Sequence, residues 1–215
     1  MDLTIIGAGN MGRGLGTRLV AGGNKVTILD RDPEEARGLA EELQGSAAAG
    51  GSAEYGTAGD PLSGEVVVLA LWYDGAREAL EQYGDQLDGK IVVDITNPVD
   101  TGSFDGLVTP PDSSAAEELA KKRPSGATLV KAFNTTFAGT LVEGQVAGQP
   151  LDVFIAGDDD GAKNTVAELA RGGGLNPIDV GPLRRARELE RLGFLHMAIQ
   201  DELGTDYGSA VKVIR

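Results

Sequence analysis

Met1-Asp2-Leu3-Thr4-Ile5-Ile6-Gly7-Ala8-Gly9-Asn10-Met11-Gly12 opens the chain. Leu3 to Ile6 is a short apolar, β-branched run of the length of one buried strand. It passes without a gap into Gly7-x-Gly9-x-x-Gly12, so strand, tight turn and helix follow one another. Gly7 permits the sharp turn, Gly9 leaves room for a pyrophosphate at the backbone, and Gly12 lets the new helix pack close to the strand. That helix, predicted over Asn10–Ala21, offers free N–H groups and the positive end of its dipole to a diphosphate. It stops at Gly22-Gly23, and Lys25-Val26-Thr27-Ile28-Leu29 forms the next strand. Asp30 follows 18 residues after Gly12, where an acid can hold both hydroxyls of an adenosine ribose. In a chain with 32 glycines the bare pattern would mean little. The flanking strands, the helix and the acid make it a dinucleotide site, with Gly7, Gly9, Asn10, Met11, Gly12, Asp30 and Arg31 as its expected residues.

Strands and helices continue to alternate downstream. Asp32-Pro33 opens a second helix, Asp32 as cap and Pro33 at the first position, running to Leu43. A small-residue stretch, 44–52, leads to a weak strand near Ala53-Glu54-Tyr55. Glu65-Val66-Val67-Val68-Leu69-Ala70-Leu71 is apolar throughout, as a strand buried on both faces of a parallel sheet must be. A helix over 74–87 and a strand at Lys90-Ile91-Val92-Val93-Asp94 come next. Thr96-Asn97-Pro98 breaks that strand, and an irregular loop, 101–112, precedes a helix over 113–122 capped by Asp112 or Ser113. Further strands are expected at Ala127 to Phe133, Leu151 to Ala156 and Pro177 to Val180, with a helix over 160–171 before the last. The alternation predicts an α/β fold, a Rossmann-like doubly wound, mostly parallel sheet over residues 1–180. Residues 181–215 form a small C-terminal helical part that closes the cleft or makes a dimer contact. One long helix, 183–203, is expected there, tolerating Gly193 at some cost, with Arg187, Glu190 and His196 on a solvated face.

Composition narrows the function. The net charge of −14 lacks the basic patches that nucleic acid or an anionic membrane would need. No apolar stretch approaches the ~18 residues of a membrane span. With no cysteine and one histidine, thiol chemistry and a histidine-rich metal site are excluded, so no metal is expected. The chain starts directly in its first strand, so no signal peptide is expected, and the protein reads as cytoplasmic.

In an open α/β sheet the ligand lies at the carboxyl ends of the strands. The strand end at Leu71 and the loops there supply Trp72, Tyr73, Thr96, Asn97, Pro98, Asn134, Thr135, Thr136 and Phe137, a polar but almost uncharged set. Carbonyl reduction or alcohol oxidation needs a residue to move a proton, and only Tyr73 and Lys131 are candidates, neither with a visible partner. Hydride transfer between two planar cofactor rings needs only stacking, exclusion of water and hydrogen bonds to the rings. The expected cofactor is NAD(P): Asp30 modestly favours NAD, because its charge repels a 2′-phosphate, while Arg31 beside it can stack on adenine or pair with that phosphate.

Several motifs together resemble the deazaflavin (coenzyme F420)-dependent NADP oxidoreductases: Gly7 to Gly14, Asp94-Ile95-Thr96-Asn97-Pro98, Lys131-Ala132-Phe133-Asn134-Thr135, Gly157-Asp158-Asp159 and Asp179-Val180-Gly181-Pro182-Leu183. The cytosolic domains of six-transmembrane metalloreductases are similar too, around Lys131 to Asn134. The resemblance implies a homodimer that exchanges hydride between NADP(H) and a deazaflavin, with Asn97, Pro98, Asn134, Thr135 and Thr136 in the nicotinamide pocket. This chain departs from the family at Asp30-Arg31, where NADP-binding members have a small residue before the arginine, and at Asn134, where some carry histidine. Two other readings stand beside it: a small imine or carbonyl reductase, and a non-catalytic dinucleotide-binding module.

Overall fold

A computed structural model describes residues 1–45, 47 and 50–214. Its main sheet has eight strands in the order β10-β9-β6-β5-β4-β1-β2-β3. These are β1 (Asp2–Ile6), β2 (Lys25–Asp30), β3 (Ser52–Thr57), β4 (Val66–Leu69), β5 (Ile91–Asp94), β6 (Thr128–Lys131), β9 (Asp152–Gly157) and β10 (Asn176–Gly181), and a separate hairpin pairs β7 (Gln145–Val146) with β8 (Gln149–Pro150). The run β3-β2-β1-β4-β5-β6 is parallel throughout, with the order reversing between β1 and β4. Such a reversal is the switch point at which open α/β sheets bind ligands. The remaining pair, β9 and β10, is parallel within itself but runs antiparallel to β6.

Eight α-helices accompany the strands among the described residues: α1 (Asn10–Ala21), α2 (Pro33–Gly45), α3 (Tyr73–Tyr83), α4 (Ala115–Lys122), α5 (Ala138–Glu143), α6 (Asp160–Gly172), α7 (Ala186–Ala198) and α8 (Gln200–Leu203). The strand alternation sorts them into two layers. Leu3, Ile5, Val66 and Val68 face Leu15 and Leu19 of α1, Leu39 and Leu43 of α2, and Val166 and Leu169 of α6. Ile6, Val67 and Leu69 face the other way, onto Ala76, Leu80 and Tyr83 of α3 and Leu119 of α4. Every residue of β4 is therefore buried, as its unbroken apolar run predicts. Removing a large side chain from either layer costs about 2–5 kcal/mol. Leu183 and Ala186 join the α3–α4 layer, while Leu189 packs on Phe154 and Ala156 of β9, so the C-terminal segment shares the core.

The local expectations need five corrections. Glu65, Ala70 and Leu71 lie outside β4, and α3 gives way at Tyr83 to a 3-10 turn, Gly84–Leu87. The cap of α4 is Ser114 rather than Asp112 or Ser113: its Oγ accepts from Glu117 N at 3.1 Å and donates to the Glu117 carboxylate at 2.8 Å. Ser113 donates to Glu118 instead. The long final helix is divided, with a 3-10 turn at Leu183–Arg185 and a break at Ile199 between α7 and α8. Helix α5 and the hairpin after it were not foreseen. Gly14 makes room for α5, since a Cβ there would meet Ala138 O at 2.8 Å and Leu141 Cβ at 2.9 Å. The expected loose stretch at 44–52 includes Ser46, Ala48 and Ala49, which lie outside the described residues.

Candidate active site

The glycine-rich turn leaves β1 at the switch point, and its three glycines have different causes. Gly7 sits at φ +114°, and a Cβ there would lie 2.3 Å from Ala70 O; one on Gly12 would lie 2.1 Å from Gly7 O. Both are required by the chain itself. Gly9 is unlike them: its φ of −70° suits any residue, and a Cβ would meet nothing within 4 Å. The space over Gly9 is open to a ligand. Helix α1 behind it has no capping side chain and no acid in its first turn, whereas α4 and α6 are capped by Ser114 and Asp159. Its first amides are thus left for an anion.

Asp30 stands beside this turn. Its Oδ2 accepts from Ala8 N at 2.7 Å and its Oδ1 from Asp32 N at 3.0 Å, so the acid ties the tip of β2 to the glycine turn. Each oxygen keeps a second lone pair. Asp32 Oδ1 accepts from Glu34 N at 2.9 Å and starts α2 as expected. Arg13 and Arg31 both lie at the surface, paired with Glu42 and Glu78. Pairs this exposed are worth about 0–1 kcal/mol and are readily given up to a phosphate.

The other half of the site is made where β5 and β6 end. Phe133 leaves β6 at φ +61°, a left-handed conformation that costs a bulky residue roughly 1–3 kcal/mol. Thr136 N and Oγ1 hold the resulting turn by donating to Phe133 O at 3.1 and 2.7 Å. The turn brings Asn134 against Asn97. Asn97 Nδ2 donates to Asn134 O at 2.7 Å, and Asn134 Nδ2 donates to Asn97 Oδ1 and to Leu189 O of α7, each at 2.9 Å. Since the two carbonyls are backbone acceptors, both amide orientations are fixed. Asn134 Oδ1 and Thr96 Oγ1 remain buried without a partner. Buried acceptors in this condition are costly, and a donor on a bound molecule would satisfy them. Thr135 and Thr136 are buried beside them, and Pro98 continues the loop. Trp72 stands at the opposite extreme, 63% exposed at the start of α3.

Beneath this pair lies a charged cluster that was not foreseen. Lys131 Nζ is fully buried and donates to Asp94 Oδ2 at 2.9 Å, Glu190 Oε1 at 2.8 Å and Thr96 O at 2.5 Å. Asp94 Oδ1 accepts from Thr96 N at 2.8 Å, and Glu190 also accepts from Ala115 N at 2.8 Å and Ala116 N at 3.2 Å, at the start of α4. Burial works against the Lys131 charge, but the two carboxylates outweigh it and hold the ammonium above its usual range. Burial pushes the Glu190 carboxyl up, with Lys131 pulling the other way. Lys131 is thus a structural hub with three partners, and the expectation that it had none is corrected. So is the solvated face of the last helix. Glu190 is buried, Arg187 holds Glu117 through two bonds of 2.7 Å, and His196 stacks on Phe137 with ring centroids 4.3 Å apart. Tyr73 is half-buried, its hydroxyl held above its usual pKa by burial. No metal-binding group of three or more acids, histidines or cysteines occurs among the described residues.

The family description "NADP oxidoreductase coenzyme F420-dependent" matches residues 2–98. The F420-dependent NADP reductase of Methanothermobacter thermautotrophicus is 32% identical over 202 residues, covering 89% of this chain and 86% of the relative. This chain belongs to the F420-dependent NADP oxidoreductase family. Membership makes it a nicotinamide-dependent oxidoreductase. A solved family structure from Arthrobacter sp. FB24, provisionally assigned as an F420-dependent NADP reductase, superposes with a TM-score of 0.85 at 30% identity over 99% of this chain and 98% of that one. Metalloreductase STEAP3 of Rattus norvegicus is 35% identical over 188 residues, 87% of this chain but only 35% of that longer protein. An imine reductase of Streptomyces aurantiacus, at 19% identity and TM-score 0.66, shares the fold. In this chain, the buried Lys131 cluster and the Asn134–Leu189 hydrogen bond hold α7 against the Asn97–Asn134 pair.

Proposed function

We propose that the protein transfers hydride between a nicotinamide dinucleotide and a deazaflavin of the F420 type. The observation that carries the reading is an uncapped, ligand-open glycine turn at the same end of the parallel strands as the Asn97–Asn134 amide pair, with the buried charges of Lys131, Asp94 and Glu190 engaged with one another. When bound, the nicotinamide supplies or accepts the hydride. The protein's part is to bind, orient and exclude water. Gly9 and the first amides of α1 hold the diphosphate, Asp30 the ribose, and Asn134 Oδ1 a carboxamide N–H. Exposed Trp72 offers a face on which a second planar ring stacks. Locked inside its ion pairs, Lys131 is no proton donor.

At the ribose, the half-buried Asp30 carboxylate favours a free 2′-hydroxyl, hence NAD(H), even though the relatives' names specify NADP. Exposed Leu195, Ile199 and Leu203 recur every four residues along α7 and α8, an apolar stripe that a second copy would cover in a homodimer. The net charge of −14 argues against nucleic acid and anionic membranes as partners, and no helix among the described residues is long and apolar enough to cross a membrane. The test is to mix purified protein, oxidised deazaflavin and NADH or NADPH and follow loss of the deazaflavin absorbance. Bleaching with either cofactor supports the reading. Tight dinucleotide binding with no transfer to a deazaflavin or flavin refutes it.

A further inference from the structure

We infer that Gly193 of α7 is a positioning residue for the nicotinamide pocket, an inference that rests on the dinucleotide reading above. Nothing in the backbone demands glycine there, since its φ is not positive and the helix would be more stable with alanine. The cause is what lies opposite. A Cβ at Gly193 would fall 2.7 Å from Asn97 Oδ1, 3.0 Å from Asn97 Nδ2 and 2.9 Å from Asn134 O. Asn134 O belongs to the backbone, and the Asn97 amide is locked to Asn134 by two hydrogen bonds, so neither swings aside alone.

The helix cannot retreat either. One turn before Gly193, Leu189 O accepts from Asn134 Nδ2, and Glu190 is fastened to Lys131 and to the two amides that begin α4. A methyl group at residue 193 therefore displaces the Asn97–Asn134 pair, and with it Asn134 Oδ1, a buried acceptor that no protein group satisfies. The glycine turn and Asp30 are on other elements and do not move. The damage is confined to the nicotinamide end of the site.

The experiment compares Gly193→Ala with Gly38→Ala, a change in the interior of α2 where a Cβ meets nothing within 4 Å. Each variant is titrated with ADP-ribose and its 2′-phosphate, which lack nicotinamide, and with NADH and NADPH, and its melting temperature is recorded. Gly38→Ala is expected to melt higher than wild type and bind everything alike. Gly193→Ala keeps ADP-ribose affinity and loses about tenfold in dinucleotide affinity, the effect of one misaligned hydrogen bond. Its hydride transfer falls by about a hundredfold, as a displacement of ~1 Å does. A Gly193→Ala protein that melts higher and binds NADH, NADPH and ADP-ribose like wild type overturns the inference alone. Wild-type protein that binds none of them overturns the dinucleotide reading as well. Should Gly193→Ala fold poorly, adding Asn97→Ala removes two of the three close contacts. Recovery of the melting temperature in the double variant supports the inference, and additive losses overturn it.

Discussion

Replacing Asp30 by serine isolates the ribose end of the site. The carboxylate lies half-buried at the tip of β2, bound to Ala8 N at 2.7 Å. Two unit charges ~4 Å apart repel by about 1 kcal/mol in bulk water and about 4 kcal/mol near a protein surface. For a half-exposed group the lower part of that range applies, ~1.4–2.8 kcal/mol against a 2′-phosphate, or tenfold to a hundredfold in affinity. Serine removes the charge but keeps an oxygen that can accept from Ala8 N. Any slackening of the glycine turn weakens NADH and NADPH together, so the ratio of their dissociation constants reports the charge alone. Fluorescence titration at low and high salt is the assay. Wild type is expected to prefer NADH, and Asp30→Ser to shift the ratio toward NADPH by tenfold or more, less at high salt. An unchanged ratio refutes the electrostatic argument. A wild-type preference for NADPH means that Arg31, released from Glu78, governs the choice.

The remaining predictions follow from the same geometry. Gly9→Ala should melt like wild type yet bind dinucleotide at least tenfold more weakly, whereas Gly7→Ala and Gly12→Ala, which clash with Ala70 O and Gly7 O, should lose about 2–4 kcal/mol of stability by urea denaturation. Lys131→Met leaves two buried carboxylates without their cation and should cost about 3–5 kcal/mol. Glu190→Gln keeps an acceptor for Ala115 N. Because the folded Glu190 pKa is raised, its stabilising contribution is complete below its ordinary value of 4.5 and is lost as pH rises through the folded value. The melting-temperature advantage of wild type over Glu190→Gln should therefore shrink with rising pH, and a growing advantage refutes this. His196 is shifted the opposite way, lowered by burial, so its contribution is complete above its ordinary value of 6.5 and lost as pH falls toward the folded value. His196→Phe, which keeps a ring against Phe137, should abolish that part of the acid sensitivity in thermal melts.

What the sequence made legible was local. Strand, turn and helix meet within residues 2–21, where Gly7 and Gly12 serve the turn and the packing and Gly9 leaves open space. The apolar run of β4 likewise needs no knowledge of its neighbours to be read as buried on both faces. Asn97, Asn134 and their loops were found because β5 and β6 must end on the side where β1 ends. The part that escaped depends on distant pairs. Lys131 and Glu190 are 59 residues apart and Asn134 and Leu189 are 55 apart, so no spacing rule joins them. Read along α7 alone, Glu190 continues a charged helix face and Gly193 is a flaw.

Both make sense only once the helix is seen from the pocket. Lys131 binds the ends of β5 and β6 together through Asp94 and Thr96 O, and reaches α7 through Glu190. The start of α4 is tied to the same carboxylate. Four segments thus share a single buried ammonium, which burial works against but which stays charged because two carboxylates face it. On the proposed reading the site moves hydride with no acid or base of its own, and such a site depends on position above all, since a small displacement costs about as much as a lost catalytic group. In this protein the charges withdrawn from the chemistry are the ones that fix the position.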